Sequence, residues 1–289
     1  MLISKRTFIK SFGALLGGLL LFGCRKQGEK SLSRVRPVSI PDIKKQIKEA
    51  MKNQKPLDSL VAIPVPSSLK AFPNATNRFG MAIDLDLCDG CGECVLACNL
   101  ENNIPLVNEY QASKNNYMHW IELRDQIPVT CFHCGDAPCE KVCPTGAAVH
   151  SPDGVSAMVY ARCAGTRFCG VNCPIKIRKF NYVDALDEGL QFISNPEVPV
   201  REQGVIEKCS LCLHRIQNAR LKAKTIGKEF LGENVTTACA EACPKGAILF
   251  GNWLDPNSLL YKKARRRGVY TLSSIAPFDP SVVYFKGVR

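Results

Sequence analysis

The residues with the clearest chemistry in this sequence are its cysteines, 16 in a chain of 289 residues. Fifteen of them fall into four groups, and each group ends in two cysteines with three residues between them. The groups are Cys88, Cys91, Cys94 and Cys98; Cys131, Cys134, Cys139 and Cys143; Cys163, Cys169 and Cys173; and Cys209, Cys212, Cys239 and Cys243. Because a short loop can direct several thiolates toward one point, this spacing predicts metal ligation.

The third group has one thiol fewer than the others. Where the spacing of the first group places Cys91, the third group has Thr166. Asn99 follows the last cysteine of the first group, whereas a proline follows the last cysteine of the other three, at Pro144, Pro174 and Pro244. The sequence therefore offers one ligand fewer than four complete sets.

Three kinds of chemistry could use these thiols. Disulfide bonds suit small exported domains with little core, and a chain of this length can bury a core of its own. Zinc sites use paired C-x2-C knuckles, which the fourth group alone could supply. Neither explains three closely spaced cysteines followed by a fourth and a proline. That run is the arrangement of bacterial ferredoxins, in which the fourth thiolate reaches a second iron-sulfur cluster.

The chain resembles the four-cluster iron-sulfur subunits of the DMSO-reductase and polysulfide-reductase family. Within that group, RCAGTRFCGVNCPIKIRKFNY and GVIEKCSLCLHRI are most similar to the ferredoxin-like part of alternative complex III, and ACPKGAILFGNWLDPNS fits the wider family. The resemblance extends from about Arg78 to the C-terminus. It implies an α+β fold of tandem ferredoxin-like units with insertions, a C-terminal arm and little regular secondary structure.

The resemblance also implies which cysteines share a cluster, because the outer groups pair with each other and so do the inner groups. The outer pair would give two sets: Cys88, Cys91, Cys94 with Cys243, and Cys209, Cys212, Cys239 with Cys98. The inner pair would give Cys131, Cys134, Cys139 with Cys173, and Cys163, Cys169 with Cys143. The last set has only three thiols.

A threonine hydroxyl is a poor iron ligand beside a thiolate, so the iron corner facing Thr166 is expected to be vacant. We therefore expect three 4Fe-4S clusters and one 3Fe-4S cluster, although a 4Fe-4S cluster with water at the open iron is the alternative. His133 and His214 lie beside cluster cysteines, but their groups already have enough ligands. We expect each to pack or to donate a hydrogen bond to cluster sulfide.

The resemblance implies a non-catalytic electron-transfer subunit, and no Ser-His-Asp set, Walker loop or GxGxxG element suggests otherwise. Its expected partners are a polytopic quinone-interacting membrane subunit, with a molybdopterin-type or degenerate large subunit, a multihaem cytochrome c, or both. One alternative is the iron-sulfur subunit of a molybdopterin reductase or dehydrogenase with four 4Fe-4S clusters. A more distant alternative is a zinc-binding interaction protein.

The N-terminus predicts export. Residues 4–10 read SKRTFIK and precede an apolar run, Phe12 to Phe22, that is too short to span a bilayer but suits a signal peptide. The pattern is similar to a twin-arginine signal with Lys5 in place of the first arginine. Leu21-Phe22-Gly23-Cys24 resembles a lipoprotein cleavage site, which would leave a lipid anchor on Cys24. Residues 1–23 are therefore a predicted signal peptide, and the expected location is the periplasmic face of the inner membrane.

The net charge of +12 does not indicate nucleic-acid binding once processing and cofactors are considered. Cleavage before Cys24 removes Lys5, Arg6 and Lys10 and no acid, leaving +9. Each oxidised cluster with its thiolates contributes about two negative charges. Basic residues near the cysteine groups are expected to offset this charge: Lys176, Arg178, Lys179, Lys208 and Arg215.

The remaining pattern suggests three further segments. Residues 24–77 are a predicted tether that packs on a partner or stays disordered, with an amphipathic helix from Asp42 to Asn53. Residues 78–255 form the cluster domain, in which clusters replace much of the apolar core and helices begin at the last cysteine of a group. Residues 256–289 are a predicted partner-binding arm. Within the cluster domain, the apolar strand candidates are Met81 to Leu85, Trp120 to Leu123, Ser156 to Tyr160 and Ala247 to Phe250, and a helix is expected from Leu213 to Lys224.

Overall fold

The computed structural model of the chain describes residues 39–68, 72–184, 195–232 and 234–287. The predicted signal peptide and Cys24 lie outside these residues. All the cysteines of the four groups lie inside them, and each is a free thiol. The thiols are therefore available for the ligation that their spacing predicts.

The regular elements are short. The helices are α1 (Ile40–Lys52), α2 (Glu93–Glu101), α3 (Glu109–Ser113), α4 (Pro138–Lys141), α5 (Phe168–Asn172), α6 (Leu213–Thr225), α7 (Ala238–Glu241) and α8 (Leu259–Ala264). The strands are β1 (Leu60–Ala62), β2 (Phe79–Asp84), β3 (Glu122–Arg124), β4 (Ile127–Val129), β5 (Ala148–His150), β6 (Ser156–Met158), β7 (Lys179–Phe180), β8 (Ile206–Glu207), β9 (Ile248–Asn252), β10 (Gly268–Leu272) and β11 (Val282–Lys286). Two turns of 3-10 helix lie at Tyr160–Arg162 and Ala276–Phe278.

One five-stranded sheet organises these elements, in the order β1-β10-β11-β2-β9. Strands β11 and β2 are parallel, and the other neighbours are antiparallel. The three remaining strand pairs, β3-β4, β5-β6 and β7-β8, are two-stranded. The sheet therefore joins residues from both ends of the described chain.

The two faces of this sheet have different partners. Alternate residues of a strand point to opposite faces, so Met81 and Ile83 pack with the cysteines, whereas Ala82 packs with Trp253 and Leu260 on the side of α8. At Gly80 the chain passes so close to Ser281 that an added Cβ would lie 2.1 Å from its carbonyl oxygen. The cysteine loops therefore lie on one side of the sheet and α8 on the other.

The predicted amphipathic helix is present as α1. Ser39 caps it through a capping box with Asp42, and Ile43, Ile47 and Ala50 are buried. In its described part this segment is not a free tether, because α1 packs on this chain's own core and β1 pairs with β10. Packing on a partner stays a prediction. The apolar stripe of α1 has its partner within the same chain.

The C-terminal residues do not form a separate arm, although partner binding by them stays a prediction. Strands β10 and β11 belong to the central sheet, and the consecutive residues Val282, Val283, Tyr284 and Phe285 are all buried. A run of apolar residues with both faces buried is typical of an inner strand. Alternating faces of this run pack toward the cysteines and toward α8, so the domain boundary predicted at residue 256 does not exist in the structure.

The strand candidates are found with shifted bounds, and α6 ends one residue beyond the predicted helix. The segment from Trp120 pairs only from Glu122, and Ser156–Met158 gives way to 3-10 helix at Tyr160. A substantial apolar core also surrounds the cysteines, with Phe79, Phe132 and Tyr284 fully or almost fully buried. The prediction that clusters replace much of the core is therefore wrong in degree.

We predicted that helices begin at the last cysteine of a group, but the helices near the cysteines do not. Helices α4, α5 and α7 each contain the third cysteine position and end before the fourth. The reason is the following proline, which disfavours helical backbone in the residue before it. In the first group Asn99 replaces that proline, and α2 continues through Cys98 to Glu101.

In the part of the chain that the structure describes, no helix is both long enough and apolar enough to cross a membrane.

Candidate metal centres

The first cavity, which we call site I, is lined by Cys88, Cys91, Cys94 and Cys243. Three of these cysteines come from the loop before α2 and its first turn, and the fourth arrives from the end of α7. Gly92 caps α2 in the left-handed conformation, with φ of 84°, which turns the loop back toward Cys88. Leu123, Pro128 and Ile248 complete the wall.

The second cavity, site II, is lined by Cys98, Cys209, Cys212 and Cys239, all of them buried. Backbone N–H groups of Leu211 and Ala238 donate to the Sγ atoms of Cys209 and Cys212, at 3.4 and 3.5 Å. The Cys239 Sγ lies 3.2 Å from the Thr237 hydroxyl, and the Cys98 Sγ lies 3.6 Å from the Asn102 amide nitrogen. Every sulfur of site II thus has a polar neighbour.

The third cavity, site III, is lined by Cys131, Cys134, Cys139 and Cys173. The Arg178 guanidinium lies beside it and donates to the Cys139 Sγ at 2.9 Å. Arg178 is buried and, among the described residues, forms no ion pair with a carboxylate. The Cys139 sulfur of site III therefore contacts a cation that has no ion pair among the described residues.

The last three cysteines, Cys143, Cys163 and Cys169, line none of these three cavities. We call this predicted set site IV. Cys169 is buried, whereas Cys143 and Cys163 are partly exposed. Thr166 is exposed, in a loop between Gly165 and Arg167, both of which have positive φ. The structure therefore places the threonine at the surface of the loop that carries Cys163 and Cys169.

A repeated turn fixes two of the terminal sulfur atoms, and its sequence signal was missed. Cys143 and Cys243 each begin the sequence Cys-Pro-x-Gly-Ala, one hundred residues apart. In both turns the glycine has positive φ and the alanine N–H donates to the cysteine Sγ, at 3.2 Å for Cys143 and 3.3 Å for Cys243. The third group follows the same path with Lys176, at a φ of 56°, in the glycine position.

The electrostatic environment of the cysteine thiols favours a bound group that carries positive charge. Burial raises the pKa of Cys98 and Cys134 well above the usual value, and repulsion from neighbouring cysteines of the same site adds to the effect. The pKa of Cys239 is raised to about 12, again chiefly by burial. Buried thiolates are unfavourable unless cations compensate them. Iron ions ligated by the four thiolates would provide that compensation.

The positions of the cysteines around each cavity also favour a bound group that contains several metal ions. The thiols of sites I, II and III surround cavities instead of converging on one point. Among the described residues, no three His, Cys, Asp or Glu side chains are arranged to hold a single metal ion. A tetrahedral zinc site would bring each sulfur to about 2.3 Å from one centre. The cavities therefore match an iron-sulfur cluster, whose iron atoms are spread over the corners of a cube.

The basic residues near the cysteines differ in their pairing. Lys179 binds Glu122, and Arg215 binds Glu101 and Glu241. Lys176 is exposed. Arg178 and Lys208 are the two that are buried, and neither pairs with a carboxylate within the described residues. These two cations are therefore the ones with no direct ion pair among the described residues, and the charge of each reaches cluster cysteines.

The two histidines have different roles. His133 is fully buried, its Nδ1 accepts from the Ser156 N–H at 3.1 Å, and its pKa lies well below the usual value because of burial and nearby cations. The neutral ring therefore carries its proton on Nε2, which has no partner among the described residues. His214 instead bonds Glu101, at 2.6 Å. Of these two histidines, His133 is therefore the one whose described contacts leave a donor for a bond to sulfide.

Comparison with known proteins agrees with this chemistry. Residues 87–147 match the family model of the 4Fe-4S dicluster domain. The chain is 34% identical to the iron-sulfur cluster-binding subunit of menaquinone reductase from Nitratidesulfovibrio vulgaris, over 75% of this chain and 91% of that protein. It is 37% identical to iron-sulfur subunit 1 of the Hdr-like menaquinol oxidoreductase from Archaeoglobus fulgidus, over 72% and 83%.

A third relative is the iron-sulfur subunit of an arsenate respiratory reductase from a Shewanella species, 28% identical over 72% of this chain and 96% of that protein. All three relatives are named as iron-sulfur subunits of oxidoreductases. The chain spans most of the length of each.

Proposed function

The chain belongs to the family of iron-sulfur cluster-binding subunits of DMSO-reductase-like and Hdr-like menaquinol oxidoreductase complexes, and we propose that it relays single electrons within such a complex. It is an electron-transfer subunit and not the subunit that transforms a substrate. When bound, an iron-sulfur cluster takes up or gives up one electron at a time. The role of the polypeptide is to hold such groups in a series and to adjust the charge around each of them.

The observation that carries this proposal is the assembly of four cysteines around each of three cavities. Cys243 joins thiols that lie about 150 residues earlier in the chain, and Cys98 joins thiols more than 100 residues later. The sets are those that a two-cluster ferredoxin requires, because the fourth cysteine of each group crosses to the neighbouring site. This reciprocal exchange between the first and fourth groups supports a tandem ferredoxin-like organisation.

The proposed cofactors are three 4Fe-4S clusters at sites I, II and III and one 3Fe-4S cluster at site IV. The last assignment rests on Thr166, which stands where a fourth thiol would be expected and whose side chain is exposed. A hydroxyl in water does not compete with thiolate for iron. EPR of the oxidised protein tests this directly, because a 3Fe-type signal is expected, and its absence at full iron content would favour four 4Fe-4S clusters.

The proposed electron partner on one side is a quinone-interacting membrane subunit. Two relatives of high coverage are named for menaquinone or menaquinol chemistry, which supports a quinone-linked complex. On the other side we propose a redox partner that is either a multihaem cytochrome, as in alternative complex III, or a molybdopterin subunit. Affinity purification from the native membrane distinguishes them, because co-purifying haem c indicates the first and co-purifying molybdopterin indicates the second.

The proposed location is the periplasmic face of the inner membrane, after export in the folded state and lipidation at Cys24. The N-terminal sequence is the support for this step. Mass spectrometry of the mature N-terminus should find a chain that begins at a diacylglyceryl-modified Cys24. An unprocessed Met1 or an unmodified Cys24 would contradict the proposal.

Iron and acid-labile sulfide analysis tests the proposed function as a whole. Anaerobically purified protein should be brown and hold about fifteen iron atoms per chain, from three sites of four and one of three. Colourless protein with stoichiometric zinc would instead support a zinc-binding interaction protein.

A further inference from the structure

Lys208 is a buried cation at an unusual place in the fold. It lies directly after β8 and directly before Cys209, and only 1% of its surface is exposed. A buried ammonium is unfavourable unless other groups compensate its charge. What surrounds Lys208 should therefore indicate what it does.

No acid of the described chain neutralises Lys208 by a direct ion pair. The adjacent Glu207 binds Arg201 at 2.9 Å. Glu140 is close enough for the Lys208 charge to help lower its pKa, after the larger effects of His150 and Ser156. Its carboxylate, however, is engaged by those two side chains, at 3.2 and 2.6 Å. The ammonium is left with backbone oxygens as its partners.

Those backbone oxygens belong to the walls of two different sites. Lys208 donates to the carbonyl of Ser156, a residue that lines site III, and to the carbonyl of Cys209, a ligand of site II, at 3.0 Å. Its charge also reaches the thiols, since it acts to lower the pKa of Cys139 in site III and of Cys209 in site II against the larger effect of burial. One ammonium thus spans the boundary between the two sites.

We infer that Lys208 is a redox-tuning residue shared by sites II and III, which stabilises an added electron at either site and so raises the midpoint potential of both. This inference rests on the proposed function, because it requires clusters at both sites. When an electron passes between the sites, one is oxidised by one unit and the other is reduced by one. The transfer requires no bond to form or break, so a fixed positive charge near both sites is one direct way for the protein to adjust it.

Arg178 provides the matched comparison. It contacts Cys139 of site III and shares no contact with a ligand of site II. The Lys208→Gln variant keeps a hydrogen-bond donor near the two carbonyls but removes the charge. Arg178→Gln removes a charge beside site III that also reaches Cys169 of site IV. Lys245→Gln removes an exposed cation at site I.

The experiment is an anaerobic redox titration of the full-length protein followed by EPR, with signals assigned through serine variants of Cys98, Cys173 and Cys243. We expect Lys208→Gln to move the midpoint potentials of sites II and III to more negative values and to leave site I unchanged. Arg178→Gln should move the potential of site III and leave that of site II unchanged, and Lys245→Gln should leave sites II and III unchanged. A Lys208→Gln variant with full iron content and unshifted potentials, or with equal shifts at all sites, would overturn the inference.

Cluster loading separates the possible failures. If the wild-type protein contains no iron and sulfide, the proposed function fails and the inference fails with it. If the wild type is loaded and Lys208→Gln is not, Lys208→Arg decides the matter. If Lys208→Arg has the full iron content and the wild-type potentials, the positive charge is what the site requires. If Lys208→Arg loses as much iron as Lys208→Gln, Lys208 is a packing residue and the inference fails.

Discussion

Sites II and IV are two solutions to the same ligation problem. Site II gathers four buried cysteines from three separate segments, and each sulfur has a polar neighbour. The predicted site IV has three cysteines, two of them partly exposed, and the exposed Thr166 stands where the spacing of the first group would place a cysteine. This difference in burial shows that one set of cysteines is part of the hydrophobic core and the other lies at its edge.

The packing around each set shows the consequence. Cys98, Cys209 and Cys239 belong to the main hydrophobic core, with Met81 and Trp120 in the walls of the same cavity. Near site IV, Phe168 and Val171 of α5 are 56% and 65% exposed. Ligands at site II therefore also hold the fold together, whereas those at site IV are expected to contribute less to stability.

The largest expected effect comes from removing one ligand at each site. Cys98→Ala should abolish the site II cluster and destabilise the protein by more than about 4 kcal/mol, because it removes a metal centre from the core. Cys163→Ala should lower the iron content at site IV with a clearly smaller loss of thermal stability. Thermal unfolding and iron analysis of both variants measure this, and equal losses of stability would contradict the distinction between core and edge.

Restoring the missing thiol should convert site IV. In Thr166→Cys the loop would have the spacing of the first group, and a fourth thiolate would hold the corner iron. We expect the 3Fe-type EPR signal of the oxidised protein to disappear and the iron content to rise by about one atom per chain. Thr166→Ser is the matched control and should keep the wild-type signal. Persistence of that signal in the cysteine variant would show that Thr166 does not face the cluster.

Acid should weaken the side of the molecule around site II. His119 bonds Asn99, which follows Cys98, and burial together with the charge of Lys179 lowers its pKa to about 4. The folded pKa lies below that of an unfolded histidine, about 6.5. The contribution of neutral His119 to the free energy of unfolding is therefore fully present above pH 6.5 and is lost as the pH falls toward 4. The free energy of unfolding should fall by at most about 3 kcal/mol through this effect.

His119→Gln keeps a polar partner for Asn99 but does not titrate. Thermal unfolding of the loaded protein between pH 7 and pH 5 should therefore depend less on pH in this variant than in the wild type. An unchanged slope would mean that other groups control acid sensitivity.

The smallest effect is expected from single hydrogen bonds to sulfur. Thr237→Val removes the buried hydroxyl that lies 3.2 Å from the Cys239 Sγ, and it should make the site II potential more negative and cost about 1 kcal/mol. Thr145→Val is the matched variant at site IV, where the hydroxyl lies 3.7 Å from the Cys143 Sγ and the residue is exposed. It should leave the site IV potential nearly unchanged. A larger shift of the site IV potential in Thr145→Val than of the site II potential in Thr237→Val would contradict the distinction between the two sites.

Cysteine spacing predicted that the closely spaced thiols of the first and second groups lie together, because the geometry of a short loop is local. Cys239 joins Cys209 and Cys212 although 26 residues separate it from Cys212. The exchange of Cys98 and Cys243 between groups came from a family resemblance, since no local rule specifies a contact over about 150 residues. The predicted helix starts were wrong because the proline after three of the groups disfavours helical backbone in the cysteine before it. Asn99 was the visible exception, and α2 is the helix that continues there.

The ends of the chain were misread for a different reason. Composition suggested a tether and an arm, whereas β1, β10 and β11 are three of the five strands of the central sheet. Strand pairing between residues near 60 and residues near 270 depends on which edge remains open after the rest has folded, and sequence patterns do not contain that information. Likewise, Lys208 could be seen beside Cys209, but its contact with Ser156 needed the fold.

The most direct test of the central claim is an anomalous iron map from crystals of the loaded protein. The reciprocal arrangement of the outer groups predicts iron bound by Cys98 together with Cys209, Cys212 and Cys239, and iron bound by Cys243 together with Cys88, Cys91 and Cys94. Iron density in which Cys98 shares a cluster with Cys88, Cys91 and Cys94, or cysteines joined as disulfides with no iron between them, would contradict it.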